Sequence, residues 1–148
     1  MAKLKITDEW WSAPAESENG ELIIVTGRRN MEAVMACGKY VNRVEVTWRY
    51  GETGMPDLKT SELMEQVTDS LKAVLKKDPV AVLTGIYTGA GERNWVFYTM
   101  SLHIFSKKFN EALAEFEQLP LEFYADNDPE WLEYKELLET EIPDDEED

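Results

Sequence analysis

The stretch "VAVLTGIYTGAGERNWVFYTM", residues 80–100, contains two apolar segments joined by a glycine-rich turn. The first segment (80–87) is apolar on both faces, which is typical of a central strand. The second (94–100) follows "TGAGER", whose glycines suit a tight turn. This turn joins two strands and does not match the P-loop pattern, so it gives no indication of phosphate binding. The stretch predicts a β-hairpin.

A helix is predicted on each side of this hairpin. Residues 60–78 place apolar side chains on one face at helical spacing, and Pro79 ends the helix. A second helix is predicted over residues 106–118, just before Pro120. Its apolar face consists of Phe109, Ala112, Leu113 and Phe116.

Strands are predicted outside the two helices. Residues 43–50 alternate apolar and polar side chains, as in a half-buried strand, and residues 121–125 form the last strand. The order strand, helix, strand, strand, helix, strand predicts an α+β fold of the ferredoxin-like split βαβ type. Such a fold has an antiparallel sheet with the helices on one face. We expect residues 21–29 to extend this sheet by pairing with 42–50, and a C-terminal helix to begin at Pro129.

Length and composition favour one domain over residues 1–142, followed by a disordered acidic tail at 143–148. The N-terminal residues contain no apolar run, so we expect neither export nor membrane insertion. The single cysteine, Cys37, cannot form an internal disulfide. These features predict a cytoplasmic protein.

The net charge of −15 comes entirely from the last forty residues. Up to Lys108 the chain holds 14 acidic and 14 basic residues, whereas 16 acidic residues and one basic residue, Lys135, follow. Such a segment would repel phosphates and attract cations. We therefore favour a basic protein over a nucleic acid as the partner. The sequence does not specify the oligomeric state.

Asp128, Pro129 and Glu130 form a helix-start signal. An aspartate accepts hydrogen bonds from free backbone N–H groups, and proline suits the first helical position. The side chains that follow on one helical face are apolar: Trp131, Tyr134 and Leu138. The segment is best explained as a helix packed on the rest of the domain.

Chemical alternatives for this segment stay open. Asp126, Asp128 and Glu130 offer the oxygen ligands that divalent cations prefer, although the spacing does not match an EF-hand. A general acid–base pair of Asp128 with Glu133 would need one raised pKa. The chain has a single histidine, His103, which limits nucleophilic catalysis. We expect no metal and no cofactor, and we favour a non-enzymatic role.

"RNWVFYT" (93–99) together with "DPEWLEY" (128–134) resembles a bacterial family of unknown function, DUF695. The resemblance spans about Trp10 to Leu138, and the family has no established activity. It marks seven motif residues as candidates for binding: Arg93, Trp95, Phe97, Tyr98, Asp128, Trp131 and Tyr134. A more remote resemblance is to the ribonuclease E regulator B family, small acidic cytoplasmic proteins that act by binding an enzyme.

The function that the sequence favours is that of a regulatory or interaction module with an acidic C-terminal contact surface. One alternative is a metal-dependent hydrolase or nuclease that uses Asp126, Asp128 and Glu130. Another is binding of single-stranded RNA, with bases stacked on Trp95 and Phe97.

Overall fold

A computed structural model describes residues 6–140, so the predicted tail at 143–148 lies outside the described residues. The described chain forms six strands and four helices. In order these are β1 (Trp10–Glu16), β2 (Leu22–Arg28), α1 (Glu32–Ala36), β3 (Asn42–Arg49), α2 (Leu58–Lys77), β4 (Ala81–Gly89), β5 (Glu92–Thr99), α3 (Leu102–Ala112), β6 (Leu121–Asn127) and α4 (Leu132–Leu138).

The six strands form one sheet in the order β1-β2-β4-β5-β3-β6, and every neighbouring pair is antiparallel. This confirms the α+β class and the antiparallel sheet. The predicted hairpin is β4–β5, in which Gly89 pairs with Glu92. Both turn residues, Ala90 and Gly91, have positive φ angles, as a type I′ hairpin turn requires. A Cβ atom at Gly91 would also overlap the Gly51 carbonyl oxygen.

The predicted pairing of residues 21–29 with 42–50 is wrong. β2 pairs with β1 and β4, whereas both edges of β3 are occupied by β5 and β6. The strand β1, which pairs with β2, was not predicted from the sequence. β1 contains Pro14, and proline is tolerated there because β1 lies at the edge of the sheet. The hairpin β1–β2 is tightly packed, since a Cβ atom at Gly27 would overlap the indole ring of Trp11.

The sheet has a hydrophobic core on each face. On face A, α2 and α3 cover β3, β4 and β5. On face B, α4 and the Val34 side chain of α1 pack against β1, β2, β4 and β5. The expected placement of helices on one face therefore holds for α2 and α3 only. α4 and α1 pack on face B because strand residues such as Val25 and Val96 present apolar side chains there as well.

Three predicted helix boundaries are wrong by three or more residues. The second helix was expected at 106–118, but α3 ends at Ala112 and begins after Ser101, whose Oγ accepts a hydrogen bond from the Ile104 N–H at 3.2 Å. The last helix was expected from Pro129, but α4 begins at Leu132, because Trp131 adopts a left-handed conformation with φ 57°. Within residues 6–140, no helix has both the length and the apolar character needed to cross a bilayer.

Candidate functional site

The C-terminal motif fixes the start of α4 on face B. The Trp131 side chain is 1% exposed and stacks on Tyr98 of β5, with 4.1 Å between ring centroids. Its Nε1 donates a hydrogen bond to the Tyr40 carbonyl oxygen at 2.8 Å. Tyr134, one turn later, donates from its hydroxyl to the Arg28 carbonyl oxygen. These contacts hold the segment before α4 and the helix itself against the sheet.

The Asp128 carboxylate links β5 to the start of α4. Its Oδ2 accepts from the Tyr98 hydroxyl at 2.7 Å and from the Glu133 N–H at 3.1 Å, and its Oδ1 accepts from the Leu132 N–H at 3.0 Å. Burial alone would raise the pKa of Asp128, but these donors together lower it below its ordinary value. We call Tyr98, Asp128, Trp131 and Tyr134 the C-terminal latch.

The latch places Glu133 against Tyr87 of β4. Glu133 Oε2 accepts from the Tyr87 hydroxyl at 2.5 Å, whereas its Oε1 is buried and has no hydrogen-bond partner among the described residues. Burial raises the pKa of Glu133, and the favourable interactions with Tyr87 and Arg43 offset this only in part. Burial also raises the pKa of the Tyr87 hydroxyl. This pair lines a face-B pocket of about 500 Å³ whose wall includes Glu45 and Glu92.

The Glu133 carboxyl predicts a pH-dependent loss of stability. Because its pKa is higher in the folded state, the folded protein binds the proton more tightly, and stability falls as pH rises from the ordinary glutamate pKa toward the raised one. We expect Glu133→Gln to match the wild type near the acid end of this window. At pH values above this window, Glu133→Gln should be more stable than the wild type by about 1 kcal/mol, the typical net effect of one buried polar group.

Urea unfolding of both proteins from acidic to mildly alkaline pH measures this difference. The matched control is Glu136→Gln on the exposed side of α4, for which we expect no such divergence. Parallel stability profiles for the wild type and Glu133→Gln would contradict the prediction.

The N-terminal motif contributes mainly to the core on face A. Trp95 is 1% and Phe97 0% exposed, and both lie beneath α2 and α3. Trp95 Nε1 donates to Thr68 Oγ1 at 2.8 Å. Stacking of nucleotide bases needs accessible ring faces. The rings of Trp95 and Phe97, the two predicted to stack on RNA bases, are therefore not accessible.

Arg93 is the charged member of the motif, and it is 8% exposed on face A. Its Nε donates to Thr88 Oγ1 at 2.9 Å, and its Nη1 donates to Glu65 Oε2 at 3.0 Å. Its guanidinium lies 5.8 Å from the centroid of the Trp95 ring. The motif residues thus form two groups, with Arg93, Trp95 and Phe97 on face A and the latch on face B.

The three carboxylates of the metal alternative have separate roles. Asp126 forms an ion pair with Arg43 at 3.1 Å, Asp128 belongs to the latch, and Glu130 is exposed. Within the described chain, no three His, Cys, Asp or Glu side chains are arranged to hold a metal ion. Among the described residues, Asp126, Asp128 and Glu130 therefore do not form a metal-binding cluster.

The last strand presents an acidic edge, which we define as β6, Leu121–Asn127. It ends the sheet, so among the described residues β6 pairs with β3 alone. Phe123 and Tyr124 are 56% and 58% exposed. Arg43 lies 5.7 Å from the Tyr124 ring centroid, and Glu45 and Asp126 both accept hydrogen bonds from it. Arg49 of β3 likewise lies 3.9 Å from Glu122 Oε2, so both arginines of β3 beside this edge are already paired with carboxylates.

Fold and site together define a single-sheet antiparallel α+β protein with an aromatic latch and an acidic edge. The chain belongs to DUF695, a family of unknown function, whose model matches residues 9–139. The resemblance inferred from the two aromatic motifs is confirmed. No curated protein and no solved structure matches the chain.

Sequence reasoning missed Tyr87 and the buried position of Glu133. The sequence indicates Glu133 only as a possible acid–base partner of Asp128. The pKa values of these two carboxyls do shift in opposite directions, but three donors already occupy the Asp128 carboxylate. The capping signal at Asp128 could have indicated where the next helical residues face. Nothing in the sequence indicated that Tyr87 lies opposite.

Proposed function

We propose that the protein is a non-enzymatic cytoplasmic interaction module that binds an extended basic segment of a partner protein at the acidic edge. The observation that carries the proposal is the place of β6 at the end of the sheet, where one side of this strand has no partner strand among residues 6–140. An edge strand offers a row of backbone N–H and C=O groups to an added strand. The opposite edge strand, β1, contains Pro14, which removes one backbone donor there.

Charge supports a basic partner. From Phe109 to Thr140 the chain holds ten acidic residues, and Lys135 is the only basic residue after Lys108. Within β6 itself the charged residues are Glu122 and Asp126. Opposite charges accelerate encounter and exclude acidic competitors, and both effects weaken with salt.

The exposed aromatic side chains support contacts on both faces of an added strand. Phe123 packs edge-on against Phe109 on face A, with ring centroids 4.9 Å apart, and Tyr124 lies near Arg43 on face B. Neighbouring aromatic side chains stabilise cross-strand pairs. A basic strand with long aliphatic stems would pack on both rings while its charged ends reach Glu122 and Asp126.

A short synthetic peptide of alternating lysine and valine tests this proposal. We expect it to bind, with an affinity that falls steeply between low and physiological salt. Glu122→Lys should weaken binding about tenfold, since a reversed charge beside the peptide costs about 1–2 kcal/mol. Titration calorimetry or fluorescence anisotropy gives the dissociation constants.

Two controls make the test specific. Glu62→Lys makes the same charge change on the exposed side of α2, and we expect little effect on affinity. A peptide methylated on alternate backbone nitrogens keeps its charge but cannot complete strand pairing. Equal binding of the two peptides would contradict strand addition, and equal effects of the two variants would contradict a local contact at β6.

We also propose that residues 42–127 form the ferredoxin-like plait. Two units support this, β3-α2-β4 and β5-α3-β6, whose strands occupy the order β6-β3-β5-β4. In that topology β1 and β2 extend the sheet beyond β4. The remote likeness to the ribonuclease E regulator B family suggests that partner binding serves regulation in a bacterial cell, and this too is part of the proposal.

A further inference from the structure

A groove lies on face A beside α2. This face-A groove has a volume of about 510 Å³ and is bounded by α2 on one side and by β2, β4 and β5 on the other. Trp10, Ile24 and Ile86 supply apolar surface, and Arg93 and Thr88 supply polar groups. Seven of the twelve lining residues are polar or charged, so the groove combines apolar surface with converging polar groups, as small-molecule sites do.

Arg93 gives the groove a preorganised anion-binding group. Thr88 and Glu65 accept from its Nε and Nη1 and so fix the plane of the guanidinium. Its Nη2 has no hydrogen-bond partner among residues 6–140, and it is not one of the fully buried unpaired atoms. Thr88 accepts through Oγ1, which leaves its hydroxyl hydrogen to donate. A free guanidinium N–H pair and a hydroxyl therefore stand side by side.

The charges around the groove favour a singly charged ligand. Arg93 is paired with Glu65, and Lys72 forms an ion pair with Asp8 at 3.5 Å. The lining of the groove holds two cations, Arg93 and Lys72, against one carboxylate, Glu65, and this excess of one positive charge matches a singly charged ligand better than a phosphate dianion. A carboxylate carries a single charge and has two oxygens, one to accept from Arg93 Nη2 and one to accept from the Thr88 hydroxyl.

We propose that the face-A groove binds a small monocarboxylate with an apolar body. Arg93 Nη2 and the Thr88 hydroxyl hold the carboxylate, and the body lies against Trp10, Ile24 and Ile86. This site lies on the face opposite the face-B pocket and does not include β6. It is therefore independent of the docking function proposed above, and the two can fail separately.

Phenylacetate and hexanoate serve as probes, with their neutral amides as matched controls. We expect at least one carboxylate to raise the melting temperature and to bind in titration calorimetry, while the corresponding amide binds at least about tenfold more weakly. This ratio reflects the about 1.5–3 kcal/mol that a hydrogen bond to a charged group contributes.

Two substitutions locate the site. Arg93→Gln should weaken carboxylate binding at least about tenfold and remove the preference over the amide. Ile24→Trp should abolish binding by filling the groove while leaving Arg93 intact, so it tests the site even if Arg93→Gln fails to fold. Leu22→Trp is the control, since Leu22 is 51% exposed on the same strand and does not line the groove.

Equal binding of acid and amide would overturn the carboxylate assignment. Unchanged affinity in Ile24→Trp would overturn the location. Absence of binding by both carboxylates to the folded wild type would overturn the proposal as a whole.

Discussion

Replacing Trp131 with alanine should lower the free energy of unfolding by about 3–5 kcal/mol, the usual cost of removing a buried tryptophan. The side chain is 1% exposed, stacks on Tyr98, and meets Tyr134 edge-on with ring centroids 5.5 Å apart. Its loss leaves a cavity between α4 and the sheet and an unpaired Tyr40 carbonyl oxygen. The left-handed backbone at this position stays unfavourable for alanine as well.

Equilibrium urea unfolding followed by circular dichroism measures this loss. The control is Leu132→Ala at the next residue, whose side chain is 57% exposed and whose replacement should change stability by less than about 0.5 kcal/mol. A similarly small effect for Trp131→Ala would contradict the role of the latch in holding α4.

Asp128→Ala should destabilise the protein by about 2–3 kcal/mol. The substitution removes a helix cap, which contributes about 1 kcal/mol, and leaves the partly buried Tyr98 hydroxyl without its acceptor, at a cost of about 1–3 kcal/mol. Asp128→Asn keeps one acceptor oxygen and should lose less. Replacement of the exposed Glu130 by alanine, two residues later, should have little effect.

The effect of Asp128 should also depend on pH. Its pKa is lowered in the folded protein, so its charge contributes stability above the ordinary aspartate pKa of about 3.9. That contribution disappears as pH falls through the lowered value. Urea unfolding across this acidic range should show the wild type and Asp128→Asn converging as pH falls. A constant difference would contradict a charged cap.

Local signals in the sequence were sufficient for the central part of the fold. The glycine-rich turn specifies the β4–β5 hairpin, and the apolar stripe over 60–78 predicts α2, because both depend on residues close together in the chain. The position of β2 depends on pairing with β4, about sixty residues later, and no local pattern encodes that choice. The edge strand β1 was also not predicted, because Pro14 argues against a strand unless the segment is known to lie at a sheet edge.

The candidate site shows a similar division. The two aromatic motifs identified the residues of the latch, whereas the acidic C-terminal contact surface stays a prediction from the charge asymmetry. Neither the hydrogen bond from Tyr87 to Glu133 Oε2 nor the unpaired state of Glu133 Oε1 could be predicted, since Tyr87 and Glu133 lie 46 positions apart and meet only when α4 packs on face B. Likewise, the exposure of β6 follows from its place at the end of the sheet, which is a property of the whole topology.

The most direct test of docking at the acidic edge is amide hydrogen exchange, residue by residue, with and without the saturating lysine–valine peptide. Strand addition predicts that alternate amides of Leu121–Asn127 become protected in the complex, while the other edge strand, Trp10–Glu16, is unchanged. Saturated peptide binding with no new protection in Leu121–Asn127 would contradict the proposed function.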